Sequence, residues 1–273
     1  MPSSASHTIN DYESLLVALQ DVLGVVVPEA QRINILERIE PVLAAHRLDS
    51  LTSLAQSLQA DRSGEVKTDV LEAISQRQTS WFLSPELKNI LHNYVFAQLP
   101  DNARIWVVGC GQGQVAYAVA MEIAEYTNQT NDAKKVSILA TDSSISNVEQ
   151  ARLGIYTEEK LISLSPEYKN LYTAKTNKGD KYQLKDRVKQ IVSFDQCDLM
   201  SDFESLGRMD LIICPDALVY FSHEIKRNIL QQFSSLLKPG GIFLTGSNQT
   251  VIPRSDGFER VNHAAGVFYR QIK

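Results

Sequence analysis

Ile105-Trp-Val-Val-Gly109-Cys-Gly111-Gln-Gly113 decides the fold: an apolar run of buried-strand type passes straight into three glycines, and a helical pattern opens at Val115. Glycines at such a turn let the backbone approach a ligand closely, and the helix behind them offers unpaired amide hydrogens and a positive dipole end to an anionic group. The spacing equally suits a tight strand-to-helix turn that holds nothing. Outward from this stretch, strand patterns alternate with helical ones, as in a mostly parallel sheet covered on both faces. Strands are expected at Ile105–Val108, Val136–Ala140, Leu211–Cys214 and Ile242–Thr245, with helices at Val115–Tyr126, Ser146–Arg152 and His223–Leu237. Lys238-Pro-Gly-Gly241 reads as a helix stop and a turn before the last of these strands. A stretch at about 171–194 alternates polar and apolar residues around Asn177-Lys-Gly-Asp180 and suggests a small antiparallel insertion.

Upstream, Asp11 to Ser75 carries no strand signal and reads as three or four helices. Leu15, Leu16, Leu19, Val22 and Leu23 make one apolar face. Pro28 suits the first turn of a second helix over Ile33, Leu36 and Ile39, which Pro41 should kink or end. Asp49 or Ser50 could cap a third helix burying Leu51, Leu54, Ala55 and Leu58, and Asp61 to Glu65 reads as a loop. A connecting helix is expected near Pro85 to Leu99.

With 273 residues, 44% hydrophobic and 22% charged, the chain can bury a sizeable core, which excludes disorder. No apolar run approaches the ~18 residues of a membrane span, and the polar stretch Met1 to Asn10 lacks a signal pattern, so a cytoplasmic location without membrane insertion is expected. Cys110, Cys197 and Cys214 are too scattered for a disulfide framework or a zinc site, so no metal is expected. The net charge of −5 argues against nucleic acid as a partner. Residues 1–76 hold five Lys/Arg against eleven Asp/Glu, whereas the remainder holds twenty-two against twenty-one, so the acidity lies in the helical part.

Two further strand ends bear on the ligand. Asp142 closes Ala140-Thr-Asp, where a carboxylate can accept from both hydroxyls of a ribose, although a strand-end Asp also serves as a helix cap or turn. A dinucleotide site would want Gly-x-Gly-x-x-Gly and its acid about 20 residues on, but here the third glycine comes one position early and Asp142 stands 31 residues beyond Gly111. Asp198, in Phe194-Asp-Gln-Cys-Asp198-Leu199, could accept the exocyclic amine of an adenine while Leu199 packs on the ring. A glycine loop, a ribose acceptor and an adenine acceptor on successive strand ends imply S-adenosylmethionine (SAM), with S-adenosylhomocysteine (SAH) as its product. Tyr220 and Phe221, beyond the strand Asp210 to Cys214, face the same crevice or serve as core aromatics.

The chain resembles the CheR-type chemotaxis receptor glutamate methyltransferases. The resemblance rests on Thr79-Ser-Trp-Phe82, Arg104-Ile-Trp, Gly109-Cys, Tyr117, Ala120-Met121, Ile138-Leu-Ala-Thr-Asp142, Ala151-Arg-Leu-Gly-Ile-Tyr156 and Leu164-Ser-Pro166. It continues through Asp210-Leu-Ile-Ile-Cys214, Tyr220-Phe221, Lys238-Pro-Gly-Gly241 and Val267-Phe-Tyr-Arg270. It implies an α/β fold of the class I SAM-dependent methyltransferase type, Rossmann-like with a mostly parallel sheet. Residues 1–76 would form a small all-helical domain, 77–100 a linker helix and the start of the catalytic domain, and 101–273 the methyltransferase domain with its antiparallel insertion. The implied reaction is methyl transfer from SAM to a glutamate carboxylate on the cytoplasmic part of a chemoreceptor. Tyr220 would lie close to the transferred methyl, and Thr79, Gly109, Gly111, Gln114, Asp142, Asp198, Leu199 and Asp216 would bind the cofactor.

Departures from the family pattern fall on the pocket. Leu83 replaces an arginine, Gln114 replaces an acidic residue expected to meet the methionine amino group, and Cys214-Pro215-Asp216 stands for Cys-Arg-Asn. Each charge-assisted bond lost costs ~1.5–3 kcal/mol, so two uncompensated losses would weaken cofactor binding ~100-fold or more. Glu29–Arg47, where the family carries a basic helix, balances three arginines with three glutamates. Basic residues gather instead at Lys175, Lys178, Lys181, Lys185, Arg187 and Lys189, either a docking face or a solvated hairpin. The alternative function is therefore a catalytically weak or inactive CheR-like scaffold that acts as a signalling protein-binding module.

Overall fold

The computed structural model describes residues 9–27, 29, 32–75, 81, 83–177, 179–215, 217–218, 221–245 and 257–272. Thr79, Asp216 and Tyr220 lie outside these residues, as do Pro28, Phe82 and Lys178. The chain divides into two compact units, one of residues 1–77 with 218–226, the other of residues 78–217 with 227–273.

The described residues of the first unit include the helices α1 (Ile9–Leu23), α2 (Arg32–Ala45), α3 (Leu51–Ala60) and α4 (Glu65–Ser75). Leu15, Leu19, Ile35, Ile39, Leu54, Leu58 and Val70 share its core. Ser50 caps α3 in a reciprocal capping box with Ser53, and the four apolar residues expected on its inner face are buried. Between α3 and α4, the Asp61 carboxylate accepts from the Gly64 and Lys67 amides. Of the two outcomes expected at Pro41, an end to α2 is excluded, because the helix runs on to Ala45. Pro41 and Glu37 are exposed, so the carbonyl that a proline deprives of its helical partner can turn to water. Ile33, expected on the apolar face, is 73% exposed, and Ile35, Val42 and Leu43 take that face with Ile39. The same unit joins Val25 to Phe221 in an isolated β-bridge, and the Ser222 amide donates to the Gly24 carbonyl at 2.7 Å.

The second unit is built on a large sheet. Its strands in chain order are β1 (Ala103–Val108), β2 (Val136–Asp142), β6 (Val192–Gln196), β7 (Met209–Cys214), β8 (Leu237–Thr245), β9 (Phe258–His263) and β10 (Gly266–Gln271). They lie side by side in the order β6-β2-β1-β7-β8-β10-β9. Neighbours from β6 to β8 pair in parallel, whereas β10 is antiparallel to both β8 and β9. Residues alternate across β1: Ile105 and Val107 join one core, while the Trp106 ring packs edge-on against Phe203 and Phe233 on the opposite face. The indole of Trp106 donates to Thr141 Oγ1 at 2.9 Å, so this fully buried ring keeps its polar atom satisfied. The long helices are α7 (Gln114–Thr130), α8 (Ile145–Leu153) and α11 (His223–Leu236), the last running from the first unit into the second. Ahead of β1, α5 (Pro85–Ile90) and α6 (Phe96–Gln98) are joined by a π-helical turn, Leu91–Val95.

A separate antiparallel sheet contains β3 (Ile155–Thr157), β4 (Thr173–Lys175) and β5 (Lys181–Leu184) in the order β3-β5-β4. Short helices α9 (Pro166–Tyr172) and α10 (Asp186–Lys189) flank β4 and β5. The insertion thus draws in Ile155 to Thr157, and Val192 to Phe194 belong to the large sheet instead, because β6 continues the parallel ladder from β2. Lys238-Pro-Gly-Gly241 falls within the bounds of β8, but none of the four residues pairs with β7: Leu237 pairs with Met209, Ile242 pairs with Leu211, and Gly240 between them is left-handed (φ 76°), so the expected turn stands as an unpaired excursion ahead of Ile242. The register shifts between Met209 and Leu211, and this irregularity accommodates a proline that cannot donate to the ladder.

Candidate active site

Parallel ladders expose ligand-facing loops at the carboxyl ends of their strands, and here β1 lies where the strand order reverses, with β2 on one side and β7 on the other. The loop after β1 turns through three left-handed glycines, Gly109 (φ 67°), Gly111 (φ 53°) and Gly113 (φ 94°). Their duties differ. Gly113 is buried, and a Cβ there would stand 2.9 Å from the Ala151 Cβ and 3.2 Å from the Phe194 ring, so this glycine seats α7 against α8 and β6. Gly109 is exposed at the mouth, where a Cβ would meet Ala217, just beyond β7, at 2.9 Å. The Cys110 amide donates to the Thr141 carbonyl at 2.9 Å, which holds the loop to the end of β2.

Asp142 joins these elements. One carboxylate oxygen accepts from the Gly111 amide at 2.8 Å, and the other from the Ser144 amide and the Asn147 side chain, each at 3.1 Å. A carboxylate offers about four acceptor positions, so roughly one remains for a ligand. Ser144, not Asp142, caps α8, by accepting from the Asn147 amide. Ser144 and Asn147 were not anticipated as parts of the site; their only sequence signal is a small polar residue ahead of a helical pattern. The next strand end lies alongside, because the Cys197 amide donates to the Asp142 carbonyl at 3.0 Å. Asp198 is exposed and accepts from the Met200 amide at 2.9 Å, while Leu199 beside it is buried. Gly109, Gly111, Gln114, Asp142, Asp198 and Leu199 therefore gather at the ends of β1, β2 and β6.

Gln114, the first residue of α7, is buried to 1% exposure, and its Oε1 has no hydrogen-bond partner among the described residues. An orphaned buried acceptor is costly unless a donor reaches it. Leu83, by contrast, is 7% exposed and belongs to the apolar core. Burial, with the nearby Asp142 charge, holds the Cys110 thiol well above its ordinary pKa, and burial raises Cys197 to about 11, so neither is a thiolate near neutrality. None of the three cysteines forms a disulfide, and the described residues contain no cluster of metal-ligating side chains. No described helix is long and apolar enough to cross a membrane. The basic residues of the insertion are partly spent on their own chain. Lys185 caps the Asn170 and Leu171 carbonyls, Lys189 caps the Leu153 carbonyl, and Arg187 lies over the Tyr172 ring at 4.1 Å.

A seven-stranded sheet with an antiparallel β10, a glycine loop after β1 and a carboxylate closing β2 defines a Rossmann-like, class I methyltransferase. Residues 77–267 match the family model described as CheR methyltransferase, SAM binding domain, and the chain belongs to that family. A chemotaxis protein methyltransferase of Vibrio parahaemolyticus is 31% identical over 271 residues, covering 96% of this chain and 98% of that protein. Chemotaxis protein methyltransferase 1 of Vibrio cholerae is 30% identical with the same coverage. The protein of that name from Pseudomonas aeruginosa is 30% identical over 95% of this chain and 97% of its own. Among solved structures, a TehB-like SAM-dependent methyltransferase from Corynebacterium glutamicum aligns with a TM-score of 0.40 at 15% identity, over 68% of this chain and 86% of that one, too slight to add to the assignment.

The residues fit SAM. The unpartnered Gln114 acceptor suits an ammonium donor, the Gly109 backbone is exposed at the end of β1, and Asp142 keeps acceptor capacity for a hydroxyl.

Proposed function

We propose that the chain methylates glutamate side chains on the cytoplasmic part of a chemoreceptor, giving a methyl ester. What supports this reading is a CheR-family domain in which Asp142, closing β2, holds the glycine loop through the Gly111 amide, with the buried Gln114 acceptor opening the helix behind that loop. When bound, SAM supplies a methyl group on a sulfonium that is already a good leaving group. A glutamate carboxylate, with a pKa of about 4.3, is ionised near neutrality, so the chain needs no general base. Its residues instead have to orient the acceptor and exclude water, a contribution that reaches ~7–11 kcal/mol in well-oriented intramolecular reactions. Gly109 and Gly111 would lie against the ligand, Gln114 would accept from its amino group, Asp142 from its ribose and Asp198 from its adenine, with Leu199 packing on the ring. Thr79, Asp216 and Tyr220 complete the assignment on the strength of the motif alone, with Tyr220 beside the reacting atoms.

Incubation with methyl-labelled SAM and receptor signalling fragments tests the reading. Base-labile label on glutamate is expected, and its absence with a bound cofactor would overturn the assignment. Tyr220→Phe should slow turnover while SAH affinity is kept, and an unchanged rate would demote Tyr220 to packing. The neutral Gln114 and the burial of Leu83, where the family pattern has charges, favour a second reading, a protein-binding scaffold with weak or no activity. On that reading SAH binds but no label is transferred.

A further inference from the structure

The shape of the glycine loop is held from outside the large sheet. Tyr156, on β3 of the small antiparallel sheet, is 3% exposed, and its hydroxyl donates to the backbone carbonyl of Gln112 at 2.8 Å, in the middle of the loop. Lys160, in the turn that follows, hydrogen-bonds through Nζ to the Gln112 side chain. Trp81 packs edge-on against Tyr156 at 4.9 Å, and its indole donates to the Lys160 carbonyl at 2.8 Å. Gln112 lies between two left-handed glycines, Gly111 and Gly113, in a turn closed by the Gly113 amide donating to the Cys110 carbonyl at 3.0 Å. Asp142 pins the loop from the β2 side through the Gly111 amide. The pin at the next residue comes from the insertion.

We propose that Tyr156 is a positioning residue for the cofactor, with Lys160 as its second arm: the small sheet clamps Gln112 and thereby presets the loop in its ligand-binding shape. A preformed loop spares binding the cost of ordering it. Burial keeps the Tyr156 phenol neutral at any working pH, so the donor is always available. The role is distinct from contact with the ligand, since the Tyr156 hydroxyl is spent on the loop carbonyl. The signal in the sequence was Ala151-Arg-Leu-Gly-Ile-Tyr156, which marked the family and left the tyrosine without a task.

This inference rests on the cofactor reading above, and the test separates the two. SAH is titrated calorimetrically into the wild-type chain, Tyr156→Phe, Lys160→Met and, as a control, Tyr172→Phe, which loses a buried hydroxyl bonded to the Met121 carbonyl and the Glu125 carboxylate, away from the loop. Tyr156→Phe should bind about fivefold to tenfold more weakly, with a raised KM for SAM and an unchanged kcat. Tyr172→Phe should keep wild-type affinity whatever its loss in Tm. Lys160→Met, an exposed change that leaves the core intact, should weaken binding about twofold and decides the matter if Tyr156→Phe fails to fold. Wild-type affinity in the folded clamp variants overturns the clamp and leaves the cofactor reading standing. No binding by the wild-type chain overturns the cofactor reading and the clamp with it.

Discussion

Asp142 supports the site twice, by pinning Gly111 and by offering its remaining acceptor position to a ligand. Asp142→Ala should therefore weaken SAH binding by about 100-fold or more, and an unchanged dissociation constant would show that the ribose is held elsewhere. Gln114 makes a prediction of opposite sign. Gln114→Glu should bind SAH about tenfold more tightly, because a charged acceptor meets the ammonium, while the ligand-free protein loses Tm through the cost of an uncompensated buried charge. Equal affinity would mean that this side chain does not face the amino group. Residue by residue, the strand-end geometry was legible where local spacing carries it, as in the glycine turn of Gly109 to Gly113 and the end of β2 at Asp142. Ser144, Asn147, Tyr156 and Lys160 were not, because their partners are set by backbone geometry or lie tens of residues away, and no pattern in a single sequence encodes such pairings.

At the scale of elements, Gly113 fixes how α7 leaves β1. Gly113→Ala combines a φ of 94° with a Cβ 2.9 Å from Ala151 and should cost about 2–4 kcal/mol in denaturant unfolding. Gly64→Ala, with φ 80° and nothing within 4 Å, should cost only about 1–2 kcal/mol. Equal losses would mean that the wall formed by Ala151 and Phe194 yields to the added methyl. The same distinction between local and tertiary control explains which elements were readable. Leu51, Leu54, Ala55 and Leu58 keep helical spacing beside a capping serine, so α3 was plain. Whether Pro41 ends α2 was not readable, because its effect depends on whether the stranded carbonyl faces water, and that is a tertiary fact. Val192-Ser-Phe194 reads as part of the insertion because an edge strand with exposed Ser193, Asp195 and Gln196 resembles a surface hairpin until its neighbour β2 is known.

For the molecule as a whole, acid sensitivity has an identifiable source in the second unit. Glu122 on α7 accepts from His92 Nε2 at 2.6 Å and pairs with Lys88 Nζ at 3.0 Å, which ties α7 to the helical run before β1. Burial pushes the Glu122 carboxyl up, but the hydrogen bonds from His92 and Lys88, aided by the Lys88 charge, outweigh it and hold its pKa below the ordinary value. A depressed folded-state pKa contributes stability that is fully present above the unfolded value of about 4.3 and is lost as pH falls through the folded one. The stability gap between the wild type and Glu122→Gln should thus be constant from neutrality to about pH 5 and close below about pH 4. A gap that widened in acid would contradict the assignment. The central claim remains one of place: an adenosyl sulfonium lies across the ends of β1, β2 and β6. A crystal structure grown with millimolar SAH tests it most directly. The account predicts density against Gly109, with the amino group on Gln114, a ribose hydroxyl on Asp142 and the adenine beside Leu199; density at any other surface, or a crevice closed by side chains, would contradict it.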